Sequence, residues 1–193
     1  MKKILTALAV AAFLAGCAST PQEKSASVLI EMQMKKTDLI KNQHIPAGLG
    51  IGISKDEQIA MEKADQNARV DLAKEVDMRM KALTKNFKEE VGGDIAEHFQ
   101  SASKTVVDTK LNGATLTDVK IETTEEGQFK IYGIMTLNVD LVGEYLKSLQ
   151  DTDAANEALK NKIRAAADKA YAEIDAEIAA ERNAADKNAA EKK

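Results

Sequence analysis

Cys17 is the only cysteine in a chain of 193 residues, and its setting suits a thiol that is to be alkylated. Lys2 and Lys3 come first, then an uncharged apolar run from Ile4 to Phe13, then Leu14, Ala15 and Gly16, the last two small enough for a peptidase groove. A lone thiol leaves no disulfide within the chain. Two histidines are the other chemistry-bearing candidates. Asp94 and His98 stand four apart with Glu97 beside them, so a helix would aim both at one metal, but two ligands do not make a four-coordinate site. An acid at a helix start and a surface histidine account for them, and no metal is expected. His44 precedes Ile45-Pro46 with no positioned partner and reads as a loop residue. Neither histidine lies in a context that resembles a nucleophile motif. Carboxylates are abundant, but runs such as Lys88-Glu89-Glu90 read as solvated helix face. Gly48-Leu49-Gly50-Ile51-Gly52 is neither a GxGxxG fingerprint nor a Walker loop, which would need a Lys-Ser/Thr pair on the phosphate. Close backbone packing is expected there. No cofactor is expected, and the chain reads as a non-enzyme.

The leader resembles a bacterial lipoprotein signal. Its apolar run is too short for the roughly 20 residues of a spanning helix and reads as a signal h-region. The resemblance implies cleavage between Gly16 and Cys17 and acylation of Cys17 on its sulfur and its new amino terminus. Each buried methylene contributes about 0.8 kcal/mol, so several acyl chains on one residue amount to permanent anchoring. The thiol would be consumed, which removes cysteine catalysis. Ala18 follows Cys17 where an Asp would resemble an inner-membrane retention signal, so the resemblance implies the outer membrane, on its periplasmic or surface face.

Residues 1–16 are thus read as signal peptide, and 17–27 as the lipidated cysteine and a small polar tether containing Pro21. The chain carries 27 basic and 31 acidic side chains, and loss of Lys2 and Lys3 with the leader leaves 25 against 31, a formal charge of −6. A mildly acidic protein is a poor nucleic-acid binder. Four Phe, three Tyr and no Trp, beside many alanines, indicate helices packed through small residues. The 177 residues behind the leader suffice for one core and extensions.

These side chains must be positioned by a few elements. Val28 to Ile40 reads as a short helix that Pro46 closes off, since the residue before proline leaves the α region. Ala47 to Ile53 alternates with period two: Ala47, Leu49, Ile51 and Ile53 on one face, Gly48, Gly50 and Gly52 on the other. That predicts a strand whose glycine face admits another backbone closely. Ser54 is the expected N-cap of a helix over 55–91, with Glu57 completing a capping box. In that helix Ala60, Ala64 and Ala68 stand four apart, and Leu72, Val76, Met80, Leu83 and Phe87 continue the stripe. Gly92-Gly93 break it, Asp94 is expected to cap a second helix over 95–111, and Asn112-Gly113 close that one. Alternating runs over 116–124 and 128–139 predict a hairpin buried on one face.

Residues 151–193 are mostly Ala, Glu, Lys, Asp and Asn, with a thin stripe of Leu159, Ile163, Tyr171, Ile174 and Ile178. At 1.5 Å per residue the segment could extend to roughly 60 Å as a helix. The stripe reads as too narrow for the core, so this tail is expected either to pair with another helix, its own copy included, or to fray in solvent.

Gly50-Ile51-Gly52-Ile53-Ser54, followed by Ala60, Ala64, Ala68-Arg69 and Leu72-Ala73, resembles the signature of the LPP20 family of bacterial lipoproteins. The likeness spans about residues 46 to 76; the long alanine-rich tail and the lack of an aromatic at Ala47 or Gly48 depart from it. It implies an α+β body over 28–150 and an envelope lipoprotein without established catalysis, some members being linked to motility or envelope assembly. Arg69, beside the packed stripe, is expected to pair Asp65 one turn back.

The sequence therefore predicts an α+β fold: a small antiparallel sheet packed by one long helix, with an Ala-rich helical extension. The leading expectation for function is a lipid-anchored outer-membrane protein that scaffolds or self-associates, with the membrane reached through Cys17 and a second copy or an envelope protein reached through the tail. A periplasmic ligand-binding module, with its pocket between helix and sheet, is the alternative, and an enzyme the third.

Overall fold

The computed structural model describes residues 21–150 and 157–190, with side chains over 27–149 and 157–180. The segment read as a signal peptide, with Gly16 and Cys17, lies outside the described residues. Among the described residues five helices and three strands follow in the order α1 (Pro21–Lys41), β1 (Ala47–Ser54), α2 (Glu57–Glu90), α3 (Gly93–Asn112), β2 (Leu116–Thr123), β3 (Phe129–Thr136), α4 (Leu141–Gln150) and α5 (Glu157–Ala190). The fold is α+β, as expected.

The sheet is antiparallel with β3 in the middle, in the order β1-β3-β2. Register runs from Ala47 opposite Thr136 to Ser54 opposite Phe129 on one side, and from Asp118 opposite Ile134 to Thr123 opposite Phe129 on the other, with a bulge between Leu116 and Asp118. Period-two alternation puts the three β1 glycines on the face toward α2. A Cβ at Gly48, Gly50 or Gly52 would land on the carbonyl oxygens of Ala68, Ala64 and Ala60 in turn. The helix backbone lies directly on the strand backbone, as the paired glycine and alanine spacings predict.

The opposite face is also covered, where an exposed face was expected for the hairpin. α1 packs there, with Met32 and Ile40 buried against Ala47, Tyr132 and Ile134. This helix is described from Pro21 onward, so most of the segment read as a tether is helical. α1 ends at Lys41, and the chain reverses through His44 at φ 54°.

Two caps differ from expectation. Asp56, not Ser54, caps α2: its Oδ1 accepts the Ile59 N–H at 3.0 Å, while Ser54 Oγ accepts the Asp56 N–H at 3.2 Å. Ser54 therefore shapes the turn rather than the helix end. Gly92 at φ 146° occupies the N-cap of α3 without a side-chain bond, which leaves Asp94 inside the first turn.

The largest correction concerns the tail. Ile163, Ala166, Ala167 and Ala170 of α5 are buried in the main core, with Leu72, Val76, Leu83 and Phe87 of α2, Phe99 and Val107 of α3, and Leu141, Tyr145 and Leu149 of α4. α5 runs antiparallel to α2: Lys169 pairs Glu90 at 2.5 Å, and Glu173 pairs Lys85 at 3.8 Å. Counting only large apolar residues made its stripe look thin. The alanines complete it, because side chains of one carbon let the helix axes approach and exclude water without bulk.

Candidate functional site

The motif residues meet around the β1–α2 contact. Gly50 and Gly52 lie under the helix, and Ala60, Ala64, Ala68 and Leu72 are fully buried. Between β1 and α2 backbone touches backbone, which closes that part of the space expected for a ligand, and a shallow hollow beside it is lined by Met61, Glu62, Asp65 and Gln66 of α2 with Leu116 of β2. The free edge of β1 is closed as well, by side chains of α2. Asp71 Oδ2 accepts the Leu49 N–H at 2.8 Å, Asn67 Nδ2 donates to the Ile51 carbonyl at 2.7 Å, and Lys63 Nζ donates to the Ile53 carbonyl at 3.0 Å. Lys63, Asn67 and Asp71 stand four apart, each one position ahead of Ala64, Ala68 and Leu72, so a polar stripe beside the alanine stripe was legible in the sequence.

Arg69 pairs Asp65 at 3.0 Å, as its spacing predicts. Its guanidinium also donates to the Ala114 carbonyl at 2.9 Å and to the Leu111 carbonyl, and so holds the end of α3 and the approach to β2 against α2. Arg69 thus fastens three elements of the same chain.

Arg79, which its residue type and spacing did not single out, is the most enclosed charge among the described residues. Its Nε pairs Glu75 at 2.8 Å, and its terminal nitrogens donate to the His44 carbonyl at 2.8 Å and the Ile40 carbonyl at 3.4 Å. The positive-φ turn after α1 is thereby clasped to α2. The available signal was its place three residues past Val76 and seven past Leu72, on the apolar stripe, with an acid four residues back.

His98 and Asp94 are not brought to a common ligand. His98 Nδ1 lies 3.3 Å from the Tyr145 hydroxyl, which itself donates to the Ile95 carbonyl at 3.1 Å. Tyr145 packs edge-on to Phe99, with ring centroids 5.2 Å apart, and burial pushes its phenol above the ordinary tyrosine value. No three of His, Cys, Asp and Glu gather as metal ligands among the described residues.

A cleft of about 530 Å³ opens where α5 passes the end of the sheet, lined by His44, Pro46, Asn138, Asp140, Asp168, Tyr171 and Asp175 among others. Burial raises the Tyr171 phenol, an effect that Arg79 opposes and that Asp140 and Asp168 reinforce. Asp140 is engaged in capping α4, where its Oδ1 accepts the Gly143 N–H at 2.9 Å. Among the described residues no hydrogen bond joins His44 or His98 to a carboxylate. The cleft can receive a polar or cationic group, but it does not assemble the base-and-orienter pairing of nucleophilic catalysis.

Comparison with family models, with curated proteins and with solved structures finds no match to the chain. No helix among the described residues is long and apolar enough to cross a membrane.

Proposed function

We propose that the protein is a lipid-anchored component of a bacterial cell envelope, held at the outer membrane through Cys17, with a scaffolding or self-associating role. The leader is the observation that carries this reading: two lysines, a short apolar run and Leu14-Ala15-Gly16-Cys17, with the only cysteine of the chain at the acylation position. The resemblance of the glycine-alanine segment to the LPP20 family supports the same assignment. The polar residues around that segment, Arg69, Arg79, Asn67 and Asp71, are engaged in holding this fold together.

The decisive experiment compares the full chain with Cys17→Ala in a bacterial host. Acylation predicts that the wild-type protein partitions into detergent and carries the mass of a cleaved, lipidated chain, while the variant remains an uncleaved or soluble precursor. Identical partitioning and a mass differing only by the substitution would overturn the reading.

A ligand-binding role is the second reading, and the cleft of about 530 Å³ beside His44 and Tyr171 favours it. Thermal-shift screening with small cationic envelope components tests it, because a ligand specific to the folded state raises the melting temperature.

A further inference from the structure

The two edges of the sheet are treated differently. β1 is sealed along its outer side by Lys63, Asn67 and Asp71 of α2, whereas no described residue bonds to the outer backbone groups of β2. An open strand edge is a template for another strand. Chains with a single open edge pair once and close, rather than continue into a fibre.

The side chains of β2 fit a second copy of the same strand. Asp118, Lys120 and Glu122 share the face toward α1, where Asp118 is paired by Lys35, and Lys120 meets Glu31 at 3.0 Å. Val119, Ile121 and Thr123 share the face toward α2, and Ile121 is 48% exposed there. Glu122 Oε2 is buried with no hydrogen-bond partner among the described residues. Charged residues on an edge strand ordinarily discourage pairing. Here their signs alternate, so the outcome depends on register. Antiparallel pairing with Lys120 opposite Lys120 of the other copy sets like charges face to face, and Asp118 against Glu122 besides. Pairing about Val119 sets Lys120 against Asp118 but leaves Glu122, whose Oε2 has no partner among the described residues, opposite Leu116. Pairing about Ile121 sets Lys120 against Glu122 twice and lays the two half-exposed Ile121 side chains together. Opposite charges and apolar pairs directly across a ladder each favour the pairing relative to alanine pairs.

We infer that the β2 edges of two copies join antiparallel about Ile121, making one continuous six-stranded sheet. This rests on the self-association part of the function proposed above and gives it a surface. The bulge at Leu116/Asp118 twists the strand and confines the ladder to the residues after it. A ladder this short gives a weak dimer in free solution; tethering both copies to one membrane through Cys17 would raise their effective concentration and strengthen it.

Cysteines introduced one at a time into the full chain, with Cys17 kept, test the register in isolated membranes. Ile121→Cys places two thiols directly across the two-fold and should yield a disulfide-linked dimer on mild oxidation. In Val119→Cys the two thiols would stand four residues apart along the strand, about 14 Å at roughly 3.4 Å per residue, beyond the Cβ separation of roughly 4 Å that a disulfide needs. Lys120→Glu in the Ile121→Cys background should depress cross-linking, and adding Glu122→Lys should restore it. Circular dichroism of the same variants establishes that they fold. Equal or greater cross-linking through Val119→Cys, absence of cross-linking at both positions, or no rescue by the reversed pair would each overturn the proposal. Failure of the anchoring reading is distinguishable: a disulfide-linked dimer of the unsubstituted chain would come from Cys17 and mark its sulfur as free.

Discussion

Arg79 and Glu75 form a 2.8 Å ion pair inside the folded body, with 6% and 10% of their side-chain surface exposed. The same guanidinium holds the His44 and Ile40 carbonyls, so one side chain joins α2 to the turn after α1. Arg79→Ala leaves a buried carboxylate and two carbonyls without their donor. Breaking a buried pair from one side costs about 3–5 kcal/mol. Urea denaturation should show a loss of that size in Arg79→Ala, with part of it recovered when Glu75→Gln is added, because the uncompensated charge is then removed.

The β1–α2 contact predicts a sharp contrast between two glycines. Gly50→Ala forces a methyl into the Ala64 carbonyl and the Ala68 backbone, where neither neighbour is a flexible side chain. Overpacking of a close-packed core costs about 1–3 kcal/mol and more where backbone must move, so this variant should lie at or above the upper end. Gly113→Ala, whose Cβ would meet only the Lys110 carbonyl at 3.9 Å, should stay within about 0.5 kcal/mol of wild type. Denaturation midpoints of the two variants check the contrast.

Burial of α5 is open to an equally direct check. Ile163 is fully buried between α5 and the rest of the core. Ile163→Ala should therefore destabilise the whole protein by about 2–5 kcal/mol, the usual cost of emptying a buried site of that volume. A helix standing free in solvent would give a shift in melting temperature indistinguishable from zero.

Tyr145 sets an alkaline limit. Burial raises its phenol above the ordinary tyrosine value, so the folded state holds the proton where the unfolded chain releases it. The folded state then binds more protons, and stability falls as pH rises. The contribution is intact below the unfolded tyrosine value of about 10 and is lost above it as pH climbs toward the raised folded value. Tyr145→Phe should lower stability near neutral pH by about 0.5–1.5 kcal/mol through loss of the hydrogen bond to the Ile95 carbonyl. It should also flatten the alkaline decline. Urea midpoints followed from neutral to about pH 11 test both parts, on the scale set by the ordinary tyrosine value.

Local pattern made much of this protein legible in its sequence. Alternation in 47–53 determined that the glycines share one face, and spacing of four determined that Ala60, Ala64 and Ala68 form the complementary ridge. Both are periodicities of a single element and need no knowledge of neighbours. The Arg69–Asp65 pair was legible for the same reason, since it lies within one helix turn. The pattern on which the proposed anchoring through Cys17 rests is also local, a run of adjacent residue types.

Tertiary structure alone decided what each face meets. Nothing in Val28–Ile40 states that it covers the second face of the sheet, nor that β3 lies between β1 and β2. Alanines 166, 167 and 170 are weakly apolar by themselves, and became core only because α2 and α4 supply the opposing surface. Arg79, too, reads as a flaw on an apolar stripe until two carbonyls from another element close around it. Helix and strand periods are written residue by residue, whereas burial is a property of two surfaces, and one chain segment records only its own.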